Sequence, residues 1–139
     1  MSTTIDPSRV EIMIPADEIA ERVRQLAAQI SADYAGKQPL LVGVLKGVWI
    51  FLADLVRQLT IPVRCDFVRV TSYGMGTETS GQPKLLLDVL EPVAGADVLV
   101  VDDILDTGIS VAWLLDHLRN KNPASLRLCV LLDKSERRR

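Results

Sequence analysis

Val98-Leu99-Val100-Val101-Asp102-Asp103-Ile104-Leu105-Asp106-Thr107-Gly108-Ile109-Ser110 is the stretch whose reading decides the fold. Asp97 to Val101 reads as the clearest strand of the chain. Its unbroken branched apolar run suits a strand buried on both faces, as in a parallel sheet. Asp102, Asp103 and Asp106 then crowd the strand end as an acidic loop. Thr107-Gly108 makes a small turn, and a helix is expected from about Ile109 to Asn120, with Val111, Leu114, Leu115 and Leu118 inward. Asn122-Pro123 breaks it.

Working outward, the same alternation recurs. Ser125 to Leu132 reads as another buried strand, and Pro39 to Leu45 as a third. Ile19, Val23, Leu26 and Ile30 fall at helical spacing, predicting an amphipathic helix from about Ala16 to Tyr34. Asp17 and Glu18 suit the positive end of that helix, and Gly36 is placed to stop it. A second apolar helix is expected from Trp49 to Leu59, then a strand from Val63 to Val70. Lys84 to Asp88 reads as a short strand, and Val10 to Ile14 alternates weakly as one. Thr71 to Gly81, with Gly74, Gly76 and Gly81, reads as a mobile loop. Strands alternating with helices predict an α/β fold with a mainly parallel, twisted sheet flanked by helices. Ligands of such sheets bind beyond the carboxyl ends of the strands, which singles out the loops after Val44, Val70, Val101 and Leu132.

Composition narrows the function classes. The 139 residues suffice for one core, and 48% hydrophobic with 24% charged residues is ordinary for a globular chain. Aromatics are only 4%, so Val, Leu, Ile and Ala must fill the interior. A net charge of −2 gives no support for a nucleic-acid or membrane partner held by bulk charge; the basic run Arg137-Arg138-Arg139 is confined to the last residues. Cys65 and Cys129 lie in apolar runs and are read as buried, reduced, small hydrophobes; two lone cysteines make neither a zinc site nor a disulfide framework. The opening MSTTIDPSRV holds no apolar core, so no signal peptide is expected. No apolar run nears the ~20 residues of a membrane span. The expected location is cytoplasmic. His117 reads as a solvated residue on the outer face of its helix, and Trp49 and Trp113 as core or interface residues.

The acidic run carries its own chemistry. A helix start offers free backbone N–H groups and partial positive charge, which suits a phosphate. Thr107 and Ser110 add hydroxyls, and Gly108 lets the backbone approach a ligand. Three carboxylates beside a phosphate need a further purpose, which ribose hydroxyls or a bridging Mg²⁺ would supply. The plainer alternative is a strand-to-helix turn with capping acids.

The run resembles the phosphoribosyl pyrophosphate signature of type I phosphoribosyltransferases, and the whole chain resembles their hypoxanthine-guanine branch from Val10 to Arg139. Leu41-Val42-Gly43-Val44-Leu45-Lys46-Gly47, Thr71-Ser72-Tyr73-Gly74 and Leu131-Leu132-Asp133-Lys134 also carry the resemblance. It implies a Rossmann-like core and Mg²⁺-dependent transfer of a phosphoribosyl group to hypoxanthine or guanine, giving IMP or GMP and pyrophosphate in purine salvage. It implies that Asp102 and Asp103 hold the ribose hydroxyls directly or through Mg²⁺. Asp106 would be the catalytic general base or proton acceptor near the purine N7, with a pKa raised by its acidic neighbours. Asp106, Thr107, Gly108, Ile109 and Ser110 would cradle the 5′-phosphate. Leu45, Lys46 and Gly47 would bind pyrophosphate, with a non-proline cis peptide between the first two. Ser72, Tyr73 and Gly74 would begin a loop that closes over the site. Lys134 would donate to the purine 6-oxo group, with Ile104 also at the base. A homodimer or homotetramer is implied.

The sequence departs from the family at three places. Asp102 stands where relatives often have Glu, and Ile109 where many have Lys. The chain also stops at Arg139, where relatives continue. The expectation is therefore one core domain over residues 1–139, C-terminally incomplete, lacking the last strand and part of the hood. An open sheet edge near Ser125 to Leu132 would follow. Two other readings stand beside the enzyme: a truncated or regulatory phosphoribosyl pyrophosphate- or nucleotide-binding module with little turnover, and a pyrimidine or adenine transferase of the same fold. Leu132-Asp133-Lys134 and Leu45-Lys46-Gly47 disfavour the last.

Overall fold

The computed structural model describes residues 8, 11, 13–71 and 83–134. Along the chain come α1 (Ala16–Asp33), β1 (Leu40–Val44), α2 (Trp49–Gln58), β2 (Arg64–Val70), β3 (Leu85–Leu87), β4 (Asp97–Leu105), α3 (Ile109–Arg119) and β5 (Ser125–Asp133). They form a five-stranded sheet in the order β3-β2-β1-β4-β5. The β1–β2, β1–β4 and β4–β5 pairs are parallel, and only β3 runs antiparallel to its neighbour. The expected α/β architecture with a mainly parallel sheet is the one observed.

Period-two alternation along the central strands divides the core. Leu41, Leu99 and Val101 face α1 and α2, where they meet Val23, Leu26, Ala27, Ile30, Phe51, Leu52 and Leu55. Leu40, Val42, Val98 and Val100 face the other way, onto Leu114 and Leu118 of α3. Each such side chain taken fully from water contributes about 1.5–3 kcal/mol. Gly43 lets α2 sit close on β1: a Cβ there would come within 2.9 Å of Leu52 Cδ2 and 3.1 Å of Val48 Cγ1. Among the described residues, no helix is long and apolar enough to cross a membrane.

Four expectations are corrected. β4 does not stop at Val101 but continues to Leu105, because β5 keeps pairing with it as far as Leu105↔Asp133. Of the strand expected from Val10 to Ile14, Val10 and Ile12 lie outside the described residues, while Met13 and Ile14 form a bend and Met13 is 90% exposed. Cys65 is exposed, while Cys129 is buried as expected. Trp49 is 61% exposed, which excludes the core and leaves the other expected place, an interface. His117 is half-buried, not solvated: its Nε2 lies 3.1 Å from Asp88 Oδ1, and its ring stacks on Trp113 at 5.6 Å with 3° between the planes. Among the described residues β5 is the outermost strand on its side of the sheet.

Candidate active site

All four parallel strands end on the same side of the sheet, at Val44, Val70, Leu105 and Asp133. β1 pairs with β4 only as far as Gly43↔Val101. Beyond that point β4 runs on beside β5 alone. Asp102 and Asp103 sit on this projecting end, at the rim of the sheet rather than within it. Both are half-buried.

The two acids leave the strand toward opposite faces, but at this rim their carboxyls adjoin each other. Asp103 follows Leu99 and Val101 to the α1–α2 side, and there it meets the turn that opens α2. A Cβ built on Gly47 would lie 2.8 Å from Asp103 Oδ2 and 3.2 Å from Oδ1. The Leu45-Lys46-Gly47 turn and the acidic run therefore share one cleft. The Leu45–Lys46 peptide is cis. Leu45 is tied to the neighbouring strand end, its N–H donating to Val68 O at 2.9 Å, and the Lys46 side chain is exposed.

Asp102 follows Val98 and Val100 to the α3 side of the sheet. It accepts from Asp103 N–H at 2.9 Å. Burial, and then the adjoining Asp103 carboxyl as hydrogen-bond partner and like charge, push the Asp102 carboxyl up to about 7. The raised pKa thus falls on the first acid of the run. Asp106 is half-buried at the end of the strand. The turn after it is closed by Ile109 N–H donating to Thr107 Oγ1 at 3.4 Å. Gly108, at φ 89°, takes a left-handed conformation that a side chain would resist, and from it α3 begins. Ser110 lies in the first turn of α3. The Lys134 N–H donates to Leu105 O at 2.8 Å, which brings the end of β5 beside the residue preceding Asp106. Ile104 is 37% exposed. Ser72, Tyr73 and Gly74 lie outside the described residues. Among the described residues no group of three His, Cys, Asp or Glu side chains is placed to hold a metal ion.

Residues 15–139 match the Phosphoribosyl transferase domain family. The chain belongs to that family. The chain is 42% identical over 132 residues to a hypoxanthine-guanine phosphoribosyltransferase of Aquifex aeolicus, covering 94% of this chain and 74% of the relative. It is 42% identical over 131 residues to the hypoxanthine phosphoribosyltransferase of Salmonella typhimurium, covering 93% and 74%. Its fold superposes on a hypoxanthine-guanine phosphoribosyltransferase of Bacillus anthracis with a TM-score of 0.87 at 41% identity, covering 94% of this chain and 77% of that one. Relatives this similar are enzymes, and this phosphoribosyltransferase is a member of an enzyme family.

Proposed function

We propose that this chain transfers the phosphoribosyl group of phosphoribosyl pyrophosphate to hypoxanthine or guanine, with Mg²⁺, giving IMP or GMP and pyrophosphate. The observation that carries the reading is the approach of Gly47 to Asp103, which sets a loop with a lysine against the acids at the strand ends. A sugar held by the acids would present its C1 substituent to that loop.

The residues divide the work. Asp102 and Asp103 accept hydrogen bonds from the ribose hydroxyls. The backbone N–H groups of Thr107 to Ser110 and the positive end of α3 hold the 5′-phosphate. The Lys46 ammonium and the Leu45 and Gly47 backbone take the charge of the leaving pyrophosphate. Asp106 is the proton acceptor beside the purine, and Lys134 donates to its 6-oxo group, with Ile104 as apolar wall.

The donor set fits Mg²⁺. Two adjacent carboxylates are hard oxygen ligands, and burial of Asp102 beside Asp103 disfavours their joint negative charge, which a cation would relieve. With no group of three such ligands among the described residues, substrate oxygens and water would fill the remaining positions. When bound, the ion supplies charge neutralisation at the sugar and pyrophosphate oxygens.

A homo-oligomer is also proposed. It is supported by Trp49 and Ile50, exposed at 61% and 57% on the first turn of α2. A second reading, binding with little turnover, is favoured by the exposure of Ile104, since the wall assigned to the base stands open to water. Incubating the chain with phosphoribosyl pyrophosphate, Mg²⁺ and each of hypoxanthine, guanine, xanthine, adenine and uracil separates these. The proposal expects IMP and GMP and neither AMP nor UMP. Binding without any nucleotide product supports the second reading, and equal use of adenine or uracil contradicts the first.

A further inference from the structure

Asp88 lies just beyond β3, outside the cleft, and its side chain reaches the far end of α3. Its carboxylate meets His117 Nε2 through both oxygens, Oδ1 at 3.1 Å and Oδ2 at 3.2 Å, and accepts from Lys121 Nζ at Oδ2, 3.2 Å away. Its own position is fixed locally by Val89 N–H, which donates to Oδ1 at 2.7 Å. The next two residues are held from the other side: Leu90 and Glu91 donate their N–H groups to Asp66 Oδ2 of β2 at 2.7 and 2.8 Å. Glu91 also pairs with Arg64 of β2 at 3.1 Å. A continuous polar path therefore runs from β2, through residues 88–91, to α3.

The receiving groups lie at the far end of α3 and just past it. Trp113 and His117 are spaced four apart, so they lie above one another on a helix face, and Lys121 follows in the turn after Arg119. The parallel Trp113–His117 stack fixes the plane of the imidazole that meets Asp88. The apolar contacts of Leu114 and Leu118 bury α3 against the sheet, but such contacts are non-directional and permit sliding. Hydrogen bonds to Asp88 are directional and define the rotation and axial position of the helix. The first turn of this same helix is the proposed phosphate cradle.

We infer that Asp88 is a positioning residue, which sets the phosphate-holding turn at the start of α3 by clamping His117 of that helix, and Lys121 just past its end, to the 88–91 segment that β2 holds. The inference rests on the proposed phosphoribosyl pyrophosphate site for its functional consequence, but not for its structural one.

Two readouts test it. The structural one is amide exchange at Ala112, whose N–H donates to Gly108 O at 2.9 Å, remote in sequence from the clamp. The functional one is calorimetric affinity for phosphoribosyl pyrophosphate with Mg²⁺. Asp88→Ala is expected to speed exchange at Ala112 and to weaken binding roughly ten-fold, the scale of a small misplacement of a binding group. Asp88→Asn, which keeps an accepting oxygen, should recover part of both. If Asp88→Ala does not fold, His117→Phe serves: it keeps a ring on Trp113, cannot hydrogen-bond to Asp88, and should change both readouts in the same direction. Unchanged Ala112 exchange in the folded variant overturns the inference. Failure of the unaltered chain to bind phosphoribosyl pyrophosphate would instead count against the proposed function, while Ala112 exchange still decides the clamp.

Discussion

Gly47 and Asp103 are in contact: a Cβ on Gly47 would stand 2.8 Å from the Asp103 carboxylate, closer than such atoms approach. The loop that opens α2 and the rim of β4 are built around the absence of one methyl group. The atom it would meet is the far end of a side chain, so Asp103 can swing away at small cost to folding. It cannot swing away and still keep its place in the cleft.

Gly47→Ala is therefore expected to leave the denaturation midpoint nearly unchanged and to weaken phosphoribosyl pyrophosphate binding on the order of 10²-fold, since catalytic and binding geometry tolerates little displacement. Thermal melts and calorimetry on the same preparation check both halves.

Gly43 gives the opposite pattern. A Cβ there would meet Leu52 at 2.9 Å, Val48 at 3.1 Å and Phe67 at 3.2 Å inside the core. Overpacking of this kind costs about 1–3 kcal/mol. Gly43→Ala should lower the urea midpoint with little change in slope. An unchanged midpoint would mean that α2 can retreat from β1 without penalty.

Asp102 predicts a pH dependence in metal-free buffer. Burial and the neighbouring Asp103 raise its folded pKa from 3.8 to about 7. A carboxyl raised in this way adds stability that is full below about 3.8 and is lost as the pH climbs through about 7. Stability should thus decline across that window in the unaltered chain and decline less in Asp102→Asn. Parallel stability curves for the two proteins would contradict the burial of this charge.

Lys134 is held beside the cleft through its backbone bond to Leu105 O. Lys134→Ala should lower kcat/KM for hypoxanthine and guanine by about 10²-fold, as loss of a hydrogen bond that a site is built to make. Affinity for phosphoribosyl pyrophosphate should stay within about two-fold, because the role proposed for the residue is at the base and not at the sugar phosphate.

Much of this was legible in the sequence because it is local. The apolar runs around Val42, Val100 and Leu128 and the helical spacing of Ile19, Val23, Leu26 and Ile30 each describe one element, and each element formed within a few residues of its expected bounds. What the sequence hid is contact between distant segments. Asp102 and Asp103 look like a strand end because polar residues interrupt the apolar run, yet pairing with β5 carries the strand through them. His117 looks solvated on a helical wheel, since its partner Asp88 comes from 29 residues away. The reason for glycine at position 47 is equally remote, lying on β4. Cys65 sits in an apolar run but on a strand whose cover is partial, so the run overstated its burial.

The central claim is that Asp102 and Asp103 meet the sugar of phosphoribosyl pyrophosphate where the Gly47 turn meets its pyrophosphate. Calorimetric titration of the chain with phosphoribosyl pyrophosphate, with and without Mg²⁺, set beside the Asp102→Asn/Asp103→Asn double variant, tests it most directly. Saturable binding that tightens with Mg²⁺ and weakens more than about ten-fold in the double variant is the predicted result, in line with the cost of removing charged binding partners. Equal affinity in the two proteins, whatever the Mg²⁺ concentration, would contradict it.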